Sequence, residues 1–178
     1  MTHRVLLALV LAVAVGTAGC SARSRGSSPS QTATPVPQAH IEMSGEINFL
    51  HDMDVKRCYV GKPGTKLLNG YSVSFAGDAQ VEGGEVLVPG FTGDGAYDSA
   101  MVILNIAQGP GFPHGTTLEE VPQTTVAVTI SNAGRAGVAR FTNYRSIYGK
   151  KGDVRGGLVS GTVTWSCAEV EHAAAPQG

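Results

Sequence analysis

The sequence predicts an all-β domain, an antiparallel β-sandwich or small barrel of about eight strands. Three observations predict this class: short runs in which apolar and polar residues alternate, glycine-containing turns between the runs, and no segment after the N-terminal region that keeps a helical period for three turns. Strands at this spacing with short connections pair antiparallel and close into a sandwich or barrel.

Alternation is clearest in three segments. Tyr71, Val73 and Phe75 alternate with serines, residues 126–130 alternate valine and isoleucine with alanine and threonine, and residues 159–167 place Trp165 and Cys167 on one face. Further strands are predicted over residues 40–48, 55–60, 79–88 and 137–147. Residues 100–107 are apolar on both faces apart from Asn105, which predicts a strand covered on both sides. Glycine-rich turns are predicted at residues 61–64, 82–85, 93–95 and 132–134.

The N-terminus has the composition of an export signal. Arg4 gives a positive start without acids, and residues 5–15 are all apolar. This run is shorter than the roughly 20 residues that a membrane-spanning helix needs, and it fits the signal-peptide core of about 7 to 15 residues. Small residues follow up to Gly19, and then comes Cys20.

This ending resembles the lipobox of bacterial lipoproteins. Ala18, Gly19 and Cys20 match the usual pattern, whereas Thr17 stands where leucine is commonest. The resemblance implies cleavage after Gly19, diacylglycerol on the Cys20 thiol and anchoring of the chain by acyl groups such as palmitate. Two or three acyl chains anchor a protein stably. The alternative is an ordinary secretory signal followed by an unrelated cysteine.

These features divide the chain into four parts. Residues 1–19 are predicted to be the lipoprotein signal peptide, and residues 20–39 the lipidated cysteine and a disordered tether rich in Ser, Thr and Pro. The tether hydroxyls suit O-glycosylation, or the segment is an unmodified spacer. Residues 40–170 are predicted to be the β-domain, and residues 171–178 a disordered tail.

The three cysteines predict one disulfide. If Cys20 carries lipid, Cys58 and Cys167 remain as a pair, and export places them where disulfides persist. A reactive or metal-binding thiol pair is the alternative, but no nearby histidine or second cysteine accompanies either residue.

The layout resembles small actinobacterial lipoproteins, in particular the family of the mycobacterial 19 kDa lipoprotein antigen. The shared features are a lipobox, a Ser/Thr/Pro tether, an early domain cysteine and a last strand ending in cysteine. The resemblance implies surface exposure on the extracytoplasmic side of the cell membrane and recognition by a host receptor. It implies no catalytic residues.

Two loops are the candidate contact surfaces. Phe112 and His114 lie in a loop rich in proline and glycine, and binding residues tend to lie on such loops; a rigid connector is the alternative. Asp94 and Asp98 flank glycines and could offer oxygens to calcium, but the denser donor series of a calcium loop is missing, so a polar turn is favoured.

Other polar groups have plainer interpretations. Residues 51–54 (His-Asp-Met-Asp) are interpreted as a surface loop rather than a metal or acid–base cluster. The cations of residues 140–155, interleaved with Phe141, Tyr144 and Tyr148, could contact anionic lipid or wall polymer, or form a solvated hairpin. Neither a nucleophile elbow nor a phosphate loop nor zinc spacing occurs, so we expect no catalytic residues, metal or cofactor.

Three functions are compatible with these observations. The favoured one is a non-enzymatic, lipid-anchored envelope module that binds an envelope component or organises the surface. A carrier of an apolar ligand would need a cavity lined by Met101, Ile103, Phe75 and Trp165. A cell-wall hydrolase would need a cleft joining two or more of His51, Asp52, Asp54, Asp94, Asp98 and His114. The slightly negative mature chain argues against nucleic acid as a partner.

Overall fold

The computed structural model describes residues 38–61, 70–107, 115–148 and 154–173, which form eleven β-strands and no helix. The strands are β1 (Gln38–Gly45), β2 (Phe49–Val60), β3 (Gly70–Phe75), β4 (Val81–Pro89), β5 (Gly95–Tyr97), β6 (Met101–Ile106), β7 (Thr116–Glu119), β8 (Thr125–Ser131), β9 (Ala136–Tyr148), β10 (Val154–Ser166) and β11 (Glu171–His172). In these ranges no helix is long and apolar enough to span a membrane. The predicted signal peptide, Cys20, most of the tether, Phe112 and His114 lie outside the described residues.

Eight of the strands form a closed antiparallel barrel. The order around the ring is β10-β1-β2-β3-β4-β6-β7-β9, and pairing of β9 with β10 closes it. The all-β prediction is therefore confirmed, and of the two predicted architectures the chain adopts the barrel. Closure removes the free edges that an open sheet of this size would leave.

Strand β9 is long enough to pair with two neighbouring strands along the same edge. Its first half pairs with β8, which carries β5 on its far edge, and its last four residues pair with β7. Asn143 separates the halves with a φ of 58°, a left-handed conformation that asparagine tolerates better than most residues. This irregularity lets both Phe141 and Tyr144 point inward although they are three residues apart.

The barrel interior is filled by apolar side chains from every strand of the ring. Representative buried residues, one from each strand in ring order, are Val163, Ile41, Met53, Val73, Val86, Leu104, Leu118 and Phe141. Tyr71 and Trp165 add the largest rings near the disulfide, and the Trp165 indole N–H donates to the Tyr71 hydroxyl at 2.8 Å. Burial of this apolar surface is the main stabilising contribution to the fold.

Two predicted segments differ from the structure. Residues 100–107 are not covered on both faces, because Val102, Leu104 and Ile106 are buried whereas Met101 on the outer face is 40% exposed. Residues 82–85 are not a turn but part of β4, where Gly83 has a φ of 147° and marks a register shift against β6. A bulge accommodates the glycines that suggested a turn.

The sheet also extends slightly beyond the predicted domain of residues 40–170. Strand β1 begins at Gln38, and Glu171–His172 form β11, which runs parallel to the end of β2. The predicted turns at residues 93–95 and 132–134 connect β4 to β5 and β8 to β9.

The predicted disulfide joins Cys58 to Cys167, with their Cα atoms 6.3 Å apart. A register shift between Val55 and Arg57 is what brings Cys58 inward: before it the odd-numbered residues of β2, such as Met53, face the core, and after it Cys58 does. The bridge therefore ties β2 to the residue that follows β10.

Candidate functional site

Six polar side chains lie together on the outer face of the barrel at the start of β1. Gln38 of β1 is paired with Asp54 of β2 and with Ser166 of β10, and His40 is paired with Asp52 and Thr164 in the same way. Because residues two apart on a strand share a face, the two rungs form one continuous surface. We call these six residues the polar array.

The central contact of the polar array is a histidine–carboxylate pair. His40 Nδ1 and Asp52 Oδ1 are 2.6 Å apart, with the two side chains 41% and 80% exposed. At that exposure the pair contributes little to stability. Its effect is on orientation, since a ring held through Nδ1 presents Nε2 to other partners.

The array borders a cleft of about 300 Å³. It is lined by Gln38, Ala39, His40, Asp52, Thr164, Trp165 and Ser166. Its lining therefore combines an amide, two hydroxyls, an imidazole and a carboxylate, whereas the side chains of Ala39 and Trp165, 2% and 4% exposed, point into the barrel core. The volume is at the lower end of the range for small-molecule sites.

His51 lies on the other face of β2 and has a different partner. Its Nε2 is 2.6 Å from Asp78 Oδ2, and the other carboxylate oxygen of Asp78 accepts hydrogen bonds from the backbone N–H groups of Gln80 and Val81. Burial opposes ionisation of Asp78, but the bonds from Val81, His51 and Gln80 outweigh it and lower its pKa. Residues 51–54 were predicted to form a loop, which is wrong: they belong to β2, and the strand sends their side chains to opposite faces.

Asp94 holds a turn together. Its two carboxylate oxygens accept hydrogen bonds from the N–H groups of Ala133 and Gly134, both at 2.9 Å. Asn132, Ala133 and Gly134 all have positive φ, a costly conformation for alanine, and the charged acceptor offsets part of that cost. This arrangement agrees with the polar-turn interpretation, and the described residues contain no group of three or more metal-ligating side chains.

Asp98 lies in separate surroundings from Asp94. It borders a cleft of about 380 Å³ together with Glu120 and Thr124, beside the part of the β8 edge that pairs with no other described strand. Below this cleft the buried Tyr144 hydroxyl donates to Glu120 Oε1 at 3.0 Å and accepts from the Val102 N–H at 3.2 Å. Burial raises the pKa of Tyr144 to about 12.

Two of the three aromatic rings that interleave with the cations of the β9–β10 hairpin are buried. Arg140 is exposed on the outer face, whereas Phe141 and Tyr144 are buried inside the barrel. The outer surface of the hairpin therefore lacks two of the three rings that the sequence suggested, and the third, Tyr148, is half-buried. Lys150 and Lys151 lie outside the described residues.

Sequence reasoning missed most of the polar array. Asp52 and Asp54 were singled out, but Gln38, His40, Thr164 and Ser166 were not, because the first and last long strands of the domain become neighbours only when the barrel closes. The available signal was the alternation in residues 159–167, which already assigned Thr164 and Ser166 to the outer face.

Comparison with protein families, with curated proteins and with solved structures finds no match to this chain. The resemblance to bacterial lipoproteins thus stays a prediction from the N-terminal residues and the layout of the chain.

Proposed function

We propose that this chain is an exported lipoprotein, held on the extracytoplasmic face of the cell membrane by acyl chains on Cys20, with the barrel as a non-enzymatic binding or surface-structural module. The observation that carries the proposal is the N-terminal sequence, in which the apolar run of residues 5–15 is followed by small residues and Cys20. The acyl chains would fix the location, and the tether would let the barrel stand away from the lipid surface.

The disulfide supports export. Disulfide bridges form and persist in oxidising compartments and are rare in the cytosol. In this barrel Cys58 is joined to Cys167 by such a bridge. This pairing leaves Cys20 as the one cysteine of the chain that is free to be acylated.

The distribution of apolar side chains favours a binding module over a lipid carrier. A carrier cavity was expected to be lined by Met101, Ile103, Phe75 and Trp165. Phe75 and Trp165 are buried in the core, whereas Met101 and Ile103 belong to the outer face of β6, so the barrel wall separates the two pairs.

The placement of the acids and histidines also gives a hydrolase little support. His51 is paired with Asp78, Asp94 caps a turn, and Asp98 borders another cleft. Among the described residues, the candidates of the predicted hydrolytic cleft are therefore distributed over distinct places; Asp52 and Asp54 are both in the polar array, but of the two only Asp52 lines its cleft.

The test is metabolic labelling with an alkyne analogue of palmitate in the bacterial host. We expect the full chain to be labelled and to fractionate with membranes, and Cys20→Ala to lose the label and appear in the medium. Ser21→Ala is the matched control, since it changes the neighbouring small residue and keeps the thiol. Label on the Cys20→Ala protein, or an unlabelled full chain that still carries residues 1–19, would refute the proposal.

A further inference from the structure

We propose that the cleft beside β8 binds a short, extended peptide segment with lysine or arginine side chains, which adds a strand to the β8 edge. This inference rests on the proposed function and deepens it, since it names the class of partner for the binding module. The cleft, called the edge cleft below, has a volume of about 380 Å³ and is lined by residues 124–127 and by Asp98, Ala100, Glu120 and Val121.

The first half of β8 has one backbone edge that pairs with no other described strand. The opposite edge pairs with β9 along the whole strand, whereas on this edge β5 pairs only with Val128, Thr129 and Ile130. Residues 125–127, which line the edge cleft, are the part left over. An unpaired strand edge is a template for an added strand, and many peptides are bound in this way.

The unpaired segment is short and is bounded at both ends. At one end Tyr97 pairs with Val128, and at the other the Thr124 N–H donates to the Val121 carbonyl in a turn. Three residues of extended chain span about 10 Å. A short peptide segment fits between these limits, whereas the long edge strand of a second barrel would overlap β5 or the turn.

Carboxylates lie at both ends of the edge cleft. Asp98 directly follows β5, and Glu120 directly precedes the turn; both side chains are exposed. The described lining contains no cation. Arg140 pairs with Ala127 in the sheet register, but among the described ion pairs none joins it to either acid. The lining is therefore complementary in charge to a cationic peptide, and two copies meeting at this edge would bring like charges together.

A buried group holds Glu120 in place. The Tyr144 hydroxyl donates to Glu120 Oε1 at 3.0 Å and accepts from the Val102 N–H at 3.2 Å. This bond uses Oε1, so Oε2 remains for a cationic ligand. A carboxylate that is already oriented loses less side-chain freedom on binding. The half-buried Ala100 and Val121 add apolar atoms for the carbon stems of lysine or arginine.

The test uses a peptide with lysines at alternate positions, because residues two apart on a strand share a face. The fluorescein-labelled pentapeptide Gly-Lys-Val-Lys-Gly is titrated with the full chain in detergent while fluorescence polarisation is recorded. We expect a saturable rise. The same peptide N-methylated at its three central residues lacks the inner backbone donors and should not bind, and neither should Gly-Glu-Val-Glu-Gly.

Substitutions in the chain test the two carboxylates. Asp98→Asn and Glu120→Gln should each weaken binding of the lysine peptide about two- to fivefold, the effect of losing one partly exposed ion pair. Glu42→Gln is the matched control, because Glu42 is an exposed acid of β1 outside the edge cleft, and it should leave the titration unchanged. Unfolding midpoints show whether each variant is folded, and Asp98→Asn keeps the test decisive if Glu120→Gln unfolds the protein.

Three results would overturn the inference: no saturable rise with the lysine peptide, equal binding of the methylated or the glutamate peptide, or equal effects of Asp98→Asn and Glu42→Gln. A dimer in sedimentation that excludes the peptide would also overturn it, because the occupant would then be a second copy of the chain. Labelling at Cys20 is measured separately, so failure of the peptide site is distinguishable from failure of the lipid anchor.

Discussion

Removal of the Cys58–Cys167 bridge should cost the barrel a large part of its stability. The cysteines are 109 residues apart, and in the chain-entropy model a closed loop of that length lowers the free energy of the folded state relative to the unfolded state by about 4.8 kcal/mol. Small domains are stable by only about 5–15 kcal/mol, so the loss would be severe. The perturbation is the double variant Cys58→Ala/Cys167→Ala, which removes the bridge without leaving a free thiol.

The structure also locates the first consequence of that change. Beyond Cys167 the described chain is held by Val170, which packs partly buried against the core, by the two residues of β11, by the bond from the Ala173 N–H to the Val60 carbonyl, and by the Arg57–Glu171 ion pair at the surface. Such contacts are individually small, so residues 168–173 should open before the rest of the barrel.

Chemical denaturation gives the global effect, and hydrogen exchange gives the local one. We expect the free energy of unfolding to fall by about 3 to 5 kcal/mol and the Ala173 N–H to lose its protection under native conditions. Wild-type protein with and without reductant is the control for the alanine side chains themselves. A fall below about 1 kcal/mol, or unchanged exchange in residues 168–173, would refute the reasoning that the bridge closes this end of the barrel.

Three further predictions follow from single contacts. Asp94→Ala should destabilise the fold by about 1 to 3 kcal/mol in thermal unfolding, since it leaves the N–H groups of Ala133 and Gly134 without their acceptor, and an unchanged midpoint would contradict that role. Gly137→Ala should cost a similar amount, about 1 to 3 kcal/mol, because its Cβ would overlap the Trp165 ring; wild-type stability together with unchanged tryptophan fluorescence would contradict this. Burial raises the pKa of both Tyr71 and Tyr144 to about 12, above the pKa of about 10 that tyrosine has in the unfolded chain. The stability that depends on their protonated hydroxyls is therefore fully present below about pH 10 and is lost as pH rises toward 12. Denaturation from about pH 8 to 12 should show this loss of stability, and Tyr71→Phe should make the loss smaller.

Local sequence patterns were enough to predict the fold class. Alternation in residues 71–75, 126–130 and 159–167 identified β3, β8 and the end of β10, because side chains in a strand alternate between core and solvent. The cysteine pair could also be predicted, since the predicted export and the predicted lipidation of Cys20 leave one pairing. Residues 100–107 were misinterpreted because a strand with one buried face can still carry apolar residues on the other, as Met101 does.

The candidate site depended on features that local patterns do not contain. His40 meets Asp52 and Thr164 only because β1 lies between β2 and β10, and the β1–β10 pairing joins residues more than a hundred positions apart. A one-residue bulge reverses which face every later side chain occupies, and the bulges near Val55 and Asn143 have no marked sequence signature.

Side-chain periodicity and cysteine number were thus enough to define an all-β, disulfide-linked domain behind a predicted export signal, because these properties depend on neighbours along the chain. The choice of a barrel over a sandwich, the inward turn of Cys58 and the assembly of the polar array depended on strand register across the closed ring. Register is set by long-range strand pairing and by bulges, and both are fixed only when the whole core packs.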